Sequence, residues 1–108
     1  MVAVKPQDWS MIRGDTMSFN VEIEDLPQDL SSMIFTCRNV KKDEIIFQKT
    51  LGDGCMKISQ GKYQVRVAPE DTEDISAGIY NFDLEIQWGT DRYTPVWGSL
   101  KIINDETY

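Results

Sequence analysis

The sequence predicts an all-β domain, an antiparallel β-sandwich of about seven strands. Three observations carry that expectation. Apolar and polar residues alternate with a period of two in several short segments, turn-forming residues separate those segments, and no stretch reads as a convincing amphipathic helix. With 108 residues, 41% hydrophobic and 27% charged, residues 1–108 make one globular domain with enough chain to bury a core.

The opening segment Trp9-Ser10-Met11-Ile12 reads as a strand at a sheet edge, closed by a turn at Gly14-Asp15. In the next, Met17, Phe19, Val21 and Ile23 point inward while Ser18, Asn20, Glu22 and Glu24 point to water. After a turn at Pro27-Gln28-Asp29, a third strand carries Met33, Phe35 and Cys37 toward the core. The polar turn Lys41-Lys42-Asp43 leads to a fourth, with Ile45 and Phe47 expected inward. A turn at Gly52-Asp53-Gly54 and another at Gln60-Gly61 precede a strand with Tyr63, Val65 and Val67 inward. The acidic stretch from Pro69 to Gly78 has room for one helical turn opening at the proline. Tyr80, Phe82, Leu84, Ile86 and Trp88 then alternate with Asn81, Asp83, Glu85 and Gln87. Beyond the turn at Gly89-Thr90-Asp91, the last strand places Val96, Leu100 and Ile102 inward, with a bulge expected at Gly98-Ser99.

Ser76-x-Gly78-x-Tyr80-x-Phe82 has the spacing of a tyrosine corner, in which a tyrosine hydroxyl bonds the backbone a few residues upstream and fixes a crossover between sheets. That corner belongs to immunoglobulin-like domains, so the expected sandwich is an immunoglobulin-like one. Gly78 and Tyr80 are its structural residues. Phe82 stands where such domains carry their second cysteine, and packing among Phe19, Val21, Phe35 and Phe82 would replace the disulfide pin.

Gly14-Asp15-Thr16 at the head of an alternating strand, the later Gly78-Ile79-Tyr80-Asn81-Phe82-Asp83-Leu84-Glu85-Ile86, and the closing Gly98-x-Leu100-x-Ile102 followed by Glu106-Thr107 together suggest a family. The chain resembles the small immunoglobulin-like structural proteins and modules of tailed bacteriophages and prophages, over roughly residues 12 to 107. The resemblance implies a tail, baseplate or neck component made in the bacterial cytoplasm and assembled into a particle. Its partners would be other virion or assembly proteins, or further copies of itself. The Met1 start and an end soon after the last strand favour a whole small protein.

Charge and composition exclude several other functions. Eleven Lys and Arg against 18 Asp and Glu give a net charge of -7, which repels nucleic acid and anionic lipid. No apolar run approaches the roughly 20 residues of a membrane helix. The chain has no histidine, hence no imidazole base or metal ligand. Two cysteines, Cys37 and Cys55, are too few for a disulfide framework or a four-ligand zinc site; their spacing leaves a pairing between them open, and the apparent compartment favours two reduced thiols. Core-facing Cys37 should be inert, and Cys55 beside its glycine turn the more reactive. No cofactor, metal or catalytic residue is assigned, and the chain is expected not to be an enzyme. Carboxylate pairs such as Asp83 with Glu85 and Glu22 with Glu24 have the makings of an acid–base pair, but an outward sheet face accounts for them. Glu70, Asp71, Glu73 and Asp74, with Asp25 and Asp29, could gather calcium, but their spacing matches no EF-hand and a solvated, capped turn accounts for them more simply. Arg13-Gly14-Asp15 spells an integrin tripeptide, but the motif arises often by chance and a turn accounts for it.

The aromatic residues supply the candidate contact surface. Trp88, Tyr93 and Trp97 are expected to meet across the last hairpin, with Arg92 near its tip. Such residues anchor protein interfaces and also stack on sugar rings. The function expected is therefore a structural or assembly module acting through protein contacts. The alternative is a carbohydrate-binding β-sandwich using an exposed Trp/Tyr platform.

Overall fold

A computed structural model describes residues 5–104 except 24, 25 and 27. The expected outward Glu24, the loop residue Asp25, the turn residue Pro27 and the C-terminal Glu106-Thr107 lie outside the described residues. Eight strands and one helical turn follow in order: β1 (Lys5–Ile12), β2 (Met17–Glu22), β3 (Ser32–Asn39), β4 (Glu44–Leu51), β5 (Gly54–Ser59), β6 (Lys62–Val67), α1 (Pro69–Thr72), β7 (Gly78–Trp88) and β8 (Asp91–Ile103). They form one sheet in the order β1-β8-β7-β3-β4-β5-β6-β2. The fold is thus all-β, with a sheet so curled that it is nearly a barrel. Trp9 and Phe19, on the two terminal strands of that order, bring their ring centroids within 4.2 Å.

The alternation sets the core. Val21, Met33, Phe35, Cys37, Tyr63, Val65, Val67, Phe82, Leu84, Ile86, Leu100 and Ile102 are all buried, each on the face its strand's period of two assigns. Phe35 lies at the centre, 5.4 Å from Phe19, 6.0 Å from Phe47 and 5.5 Å from Phe82 between ring centroids. Trp9 stacks on Phe82 at 4.3 Å and an interplanar angle of 17°. Gly61 makes the β5–β6 turn at φ +76, and a Cβ there would stand 2.9 Å from the Ile23 carbonyl oxygen, so the position excludes other residues on both counts.

Four sequence expectations change. The strands number eight, because Gly54–Ser59 was not foreseen: only Cys55 in it is buried, so it carries no alternation. The sheet is not wholly antiparallel, since β1 runs parallel to β8 from Lys5↔Val96 to Ile12↔Ile103. β4 also meets β5 in parallel, over only Thr50↔Gly54 and Leu51↔Cys55. Ile45 is 56% exposed rather than inward, because the register slips between Cys37↔Phe47 and Arg38↔Ile45. That bulge turns Ile46, packed against the core, into the side chain that faces in. Pairing is regular at Gly98 and Ser99, opposite Phe82 and Asn81. The irregularity of β8 falls instead at Thr94 and Pro95, opposite Glu85, where proline brings no N–H to the ladder.

Phe35 is completely buried among four other aromatic rings. Phe35→Ala is expected to cost about 3–5 kcal/mol, a large fraction of the stability of a domain this size. Urea denaturation followed by tryptophan fluorescence measures it.

Candidate functional site

The start of β7 is fixed by Tyr80, whose hydroxyl donates to the Ser76 carbonyl at 2.6 Å. Burial raises the Tyr80 phenol above its usual range, so the hydroxyl remains a donor at neutral pH. Gly78 begins the same strand. The preceding loop is held just as firmly. Asp71 accepts from the Ala68 N–H at 2.7 Å and pairs with Lys49 at 2.7 Å, both side chains largely buried. Thr72, fully buried, accepts from the Gly14 N–H at 2.9 Å. Of the acidic run only Asp71 is therefore structural, while Glu70, Glu73 and Asp74 face solvent. Among the described residues no three His, Cys, Asp or Glu side chains gather as a metal site would require. Arg13 is engaged within the chain as well, donating to the Ile75 carbonyl and the Asn104 side chain at 3.3 and 3.1 Å.

The aromatic group expected at the last hairpin divides between two faces. Trp88 and Tyr93 stack at 4.8 Å with an interplanar angle of 22°, at the end of the inward-facing row. Tyr93 pairs with buried Ile86, whereas Trp97 pairs with outward Asp83. The bulge at Thr94 and Pro95 causes this split by shifting the strand one residue, and so one face, between Tyr93 and Val96. Trp88, Tyr93 and Trp97 therefore form no single platform. Arg92 pairs with Gln87 and reaches Glu85 at 4.0 Å, on the outward side with Trp97.

Beside Trp97, Asp83 meets Arg38 at 3.5 Å. Burial pushes the Asp83 carboxyl up, against the opposing effect of the Arg38 charge, and Glu85 raises it further. The pair Asp83 and Glu85 thus belongs to a ladder of opposite charges across the outward face. Cys37 and Cys55 are free and buried. Burial raises the Cys37 thiol to about 12 and the Cys55 thiol to about 11, the latter despite a backbone hydrogen bond at Phe35 and the Lys49 charge. The expectation of a reactive Cys55 is corrected: its turn is exposed, but the sulfur is under the sheet.

Two features escaped sequence reasoning. Trp9 packs, partly buried, against the core cluster, although a lone tryptophan in an edge segment gives no period to place it. Ile12, Val40, Ile79 and Ile103 are outward and exposed, at 41, 60, 72 and 41%. Counting positions outward from Leu100 and Tyr80 would have found Ile103 and Ile79. No helix among the described residues is long and apolar enough to cross a membrane. The chain matches no protein-family model and no curated protein.

Neither thiol should react with Ellman's reagent in the folded protein at pH 8, and both should react at once in denaturant. Absorbance at 412 nm, about the maximum of the released thiolate, distinguishes the two states. Asp83 provides a pH test. A raised native pKa means that the folded chain holds the proton longer than the unfolded chain as pH rises. Its contribution to stability therefore falls through the window above the usual value of 3.8. The stability difference between wild type and Asp83→Asn should decline across that window and level off above it, as read from urea midpoints at successive pH values.

Proposed function

We propose that this chain is a non-enzymatic structural or assembly module of immunoglobulin-like type, working in the tail, baseplate or neck of a phage or prophage virion through protein–protein contacts. The immunoglobulin-like reading draws support from the two groups of strands. Only two residue pairs bridge β4 to β5, so the single sheet is weakest where a sandwich would divide it into β2, β6 and β5 against β1, β8, β7, β3 and β4. The Tyr80 hydrogen bond to Ser76 has the form of the corner that such a sandwich uses where its chain crosses between layers.

The observation that carries the contact role is the outward surface. Trp97, Ile79, Ile103 and Ile12 stand exposed on strands whose other side is a close-packed core, with Val40 exposed in the turn after β3. Exposed apolar and aromatic side chains on a rigid sheet are what a protein interface needs at its centre. The groups that catalysis would draw on are spent on structure: the thiols are buried, Asp71 and Thr72 hold a loop, and Asp83 and Glu85 face arginines. The virion setting rests on the resemblance of the Gly14-Asp15-Thr16 opening, the Gly78–Ile86 strand and the closing Gly98-x-Leu100-x-Ile102.

Mass spectrometry of purified particles from the source phage or induced prophage tests this reading. Peptides of the chain at a fixed copy number per particle are the expected result. Clear expression in the cell with absence from intact particles would overturn it.

A further inference from the structure

One end of the outward face carries an apolar stripe across three strands and the turn that follows β3. Ile12 pairs with Ile103 between β1 and β8, and Ile79 pairs with Lys101 between β7 and β8, diagonal to Ile103. Val40 follows the last paired residues of β3, and with Lys41 and Ile79 it lines a shallow hollow between β3 and β7. Cross-strand neighbours of this kind are about 4.5–8 Å apart, so the side chains form one continuous surface. All four apolar members are exposed, Ile79 at 72%.

Two of the chain's exposed cations flank the stripe. Arg38, Lys49, Lys57, Lys62 and Arg92 each meet a carboxylate. Lys41, Lys42, Arg66 and Lys101 take part in no ion pair among the described residues, and of these Lys41 and Lys101 stand beside the stripe. In a chain of net charge -7, unpaired positive charge is thus set against exposed apolar surface.

We infer that this end of the sheet, Ile12, Ile103, Ile79 and Val40 flanked by Lys101 and Lys41, docks a segment of a partner protein in which apolar side chains are interspersed with Asp or Glu. Charge complementarity selects that occupant. A second copy docked symmetrically would set the same lysines against each other. An anionic bilayer would meet a chain whose total charge repels it. The inference rests on the reading of the chain as a contact module, and not on its setting in a virion.

The test is a selection from a random-peptide display library on the immobilised full chain, followed by fluorescence anisotropy with the synthesised peptides. The expected peptides combine Ile, Leu, Val or Phe with Asp or Glu, and bind more weakly as salt is raised. Ile79→Asp should weaken binding at least about tenfold while its thermal melting stays near wild type, since an exposed position is replaced. Val40→Ser serves as the second variant should Ile79→Asp not fold. The double variant Lys41→Glu/Lys101→Glu should turn the selection toward peptides rich in Lys and Arg. Recovery of no peptide, or of peptides without acidic residues, overturns the inference, as does binding indifferent to both apolar variants. So does a dimer in light scattering that Ile79→Asp dissolves, which would make a second copy the occupant. Sedimentation with phosphatidylglycerol vesicles would make it a bilayer. Absence of the chain from particles leaves this selection standing, and a failed selection leaves virion membership standing, so the two readings fail separately.

Discussion

A sheet of eight strands has two terminal strands and one face to hide, and in this chain the rings of Trp9, Phe19, Phe35 and Phe82 deal with both requirements. Trp9 rides on β1 and Phe19 on β2, the strands furthest apart in the sheet order, yet their rings are neighbours. Phe35 and Phe82 lie on adjacent central strands beneath them. Offset and tilted ring pairs gain about 0.5–1.5 kcal/mol each beyond the area they bury. The larger effect is topological: once these rings meet, the sheet has no choice but to curl. The inward row of every strand then faces other inward rows rather than water.

Everything chemically active is subordinate to that closure. The thiols sit under the sheet, and their high pKa values follow from the same burial that makes Phe35 inaccessible. The polar groups that are buried do framework duty. The Tyr63 hydroxyl accepts from the Leu30 N–H at 3.0 Å, and Thr72 holds the turn that joins β1 to β2. Function is left to the outside of the sheet, where charges pair across strands and a few apolar side chains remain uncovered.

Most of the core was legible because burial in a half-wet sheet writes itself as alternation. β2, β6 and β7 are the clearest cases, and their inward residues were identified one by one. Bulges were the main source of error. A single extra residue reverses the facing of everything beyond it, which is why Ile45 and Ile46 exchanged roles and why Trp97 left Trp88 and Tyr93. Neither bulge follows from composition. Pro95 hinted at one, but the glycine at 98 was the louder signal and proved regular. β5 was silent for a different reason: a strand with one buried side chain has no pattern to read. Loop contacts such as Lys49 with Asp71 were beyond reach, because they join segments whose approach only the closed sheet defines.

The parallel pairing of β1 with β8 has a mechanical side. Eight consecutive residues of the first strand, Lys5 to Ile12, lie in register against Val96 to Ile103 of the last, pointing the same way. Tension applied to the two ends of the chain in opposite directions pulls these strands along their length. The whole row of slanted hydrogen bonds then bears the load at once, instead of opening one bond after another. A chain so arranged resists being drawn out by its ends far better than it resists peeling at a hairpin. In any assembly that strains it end to end, this is the joint that takes the force.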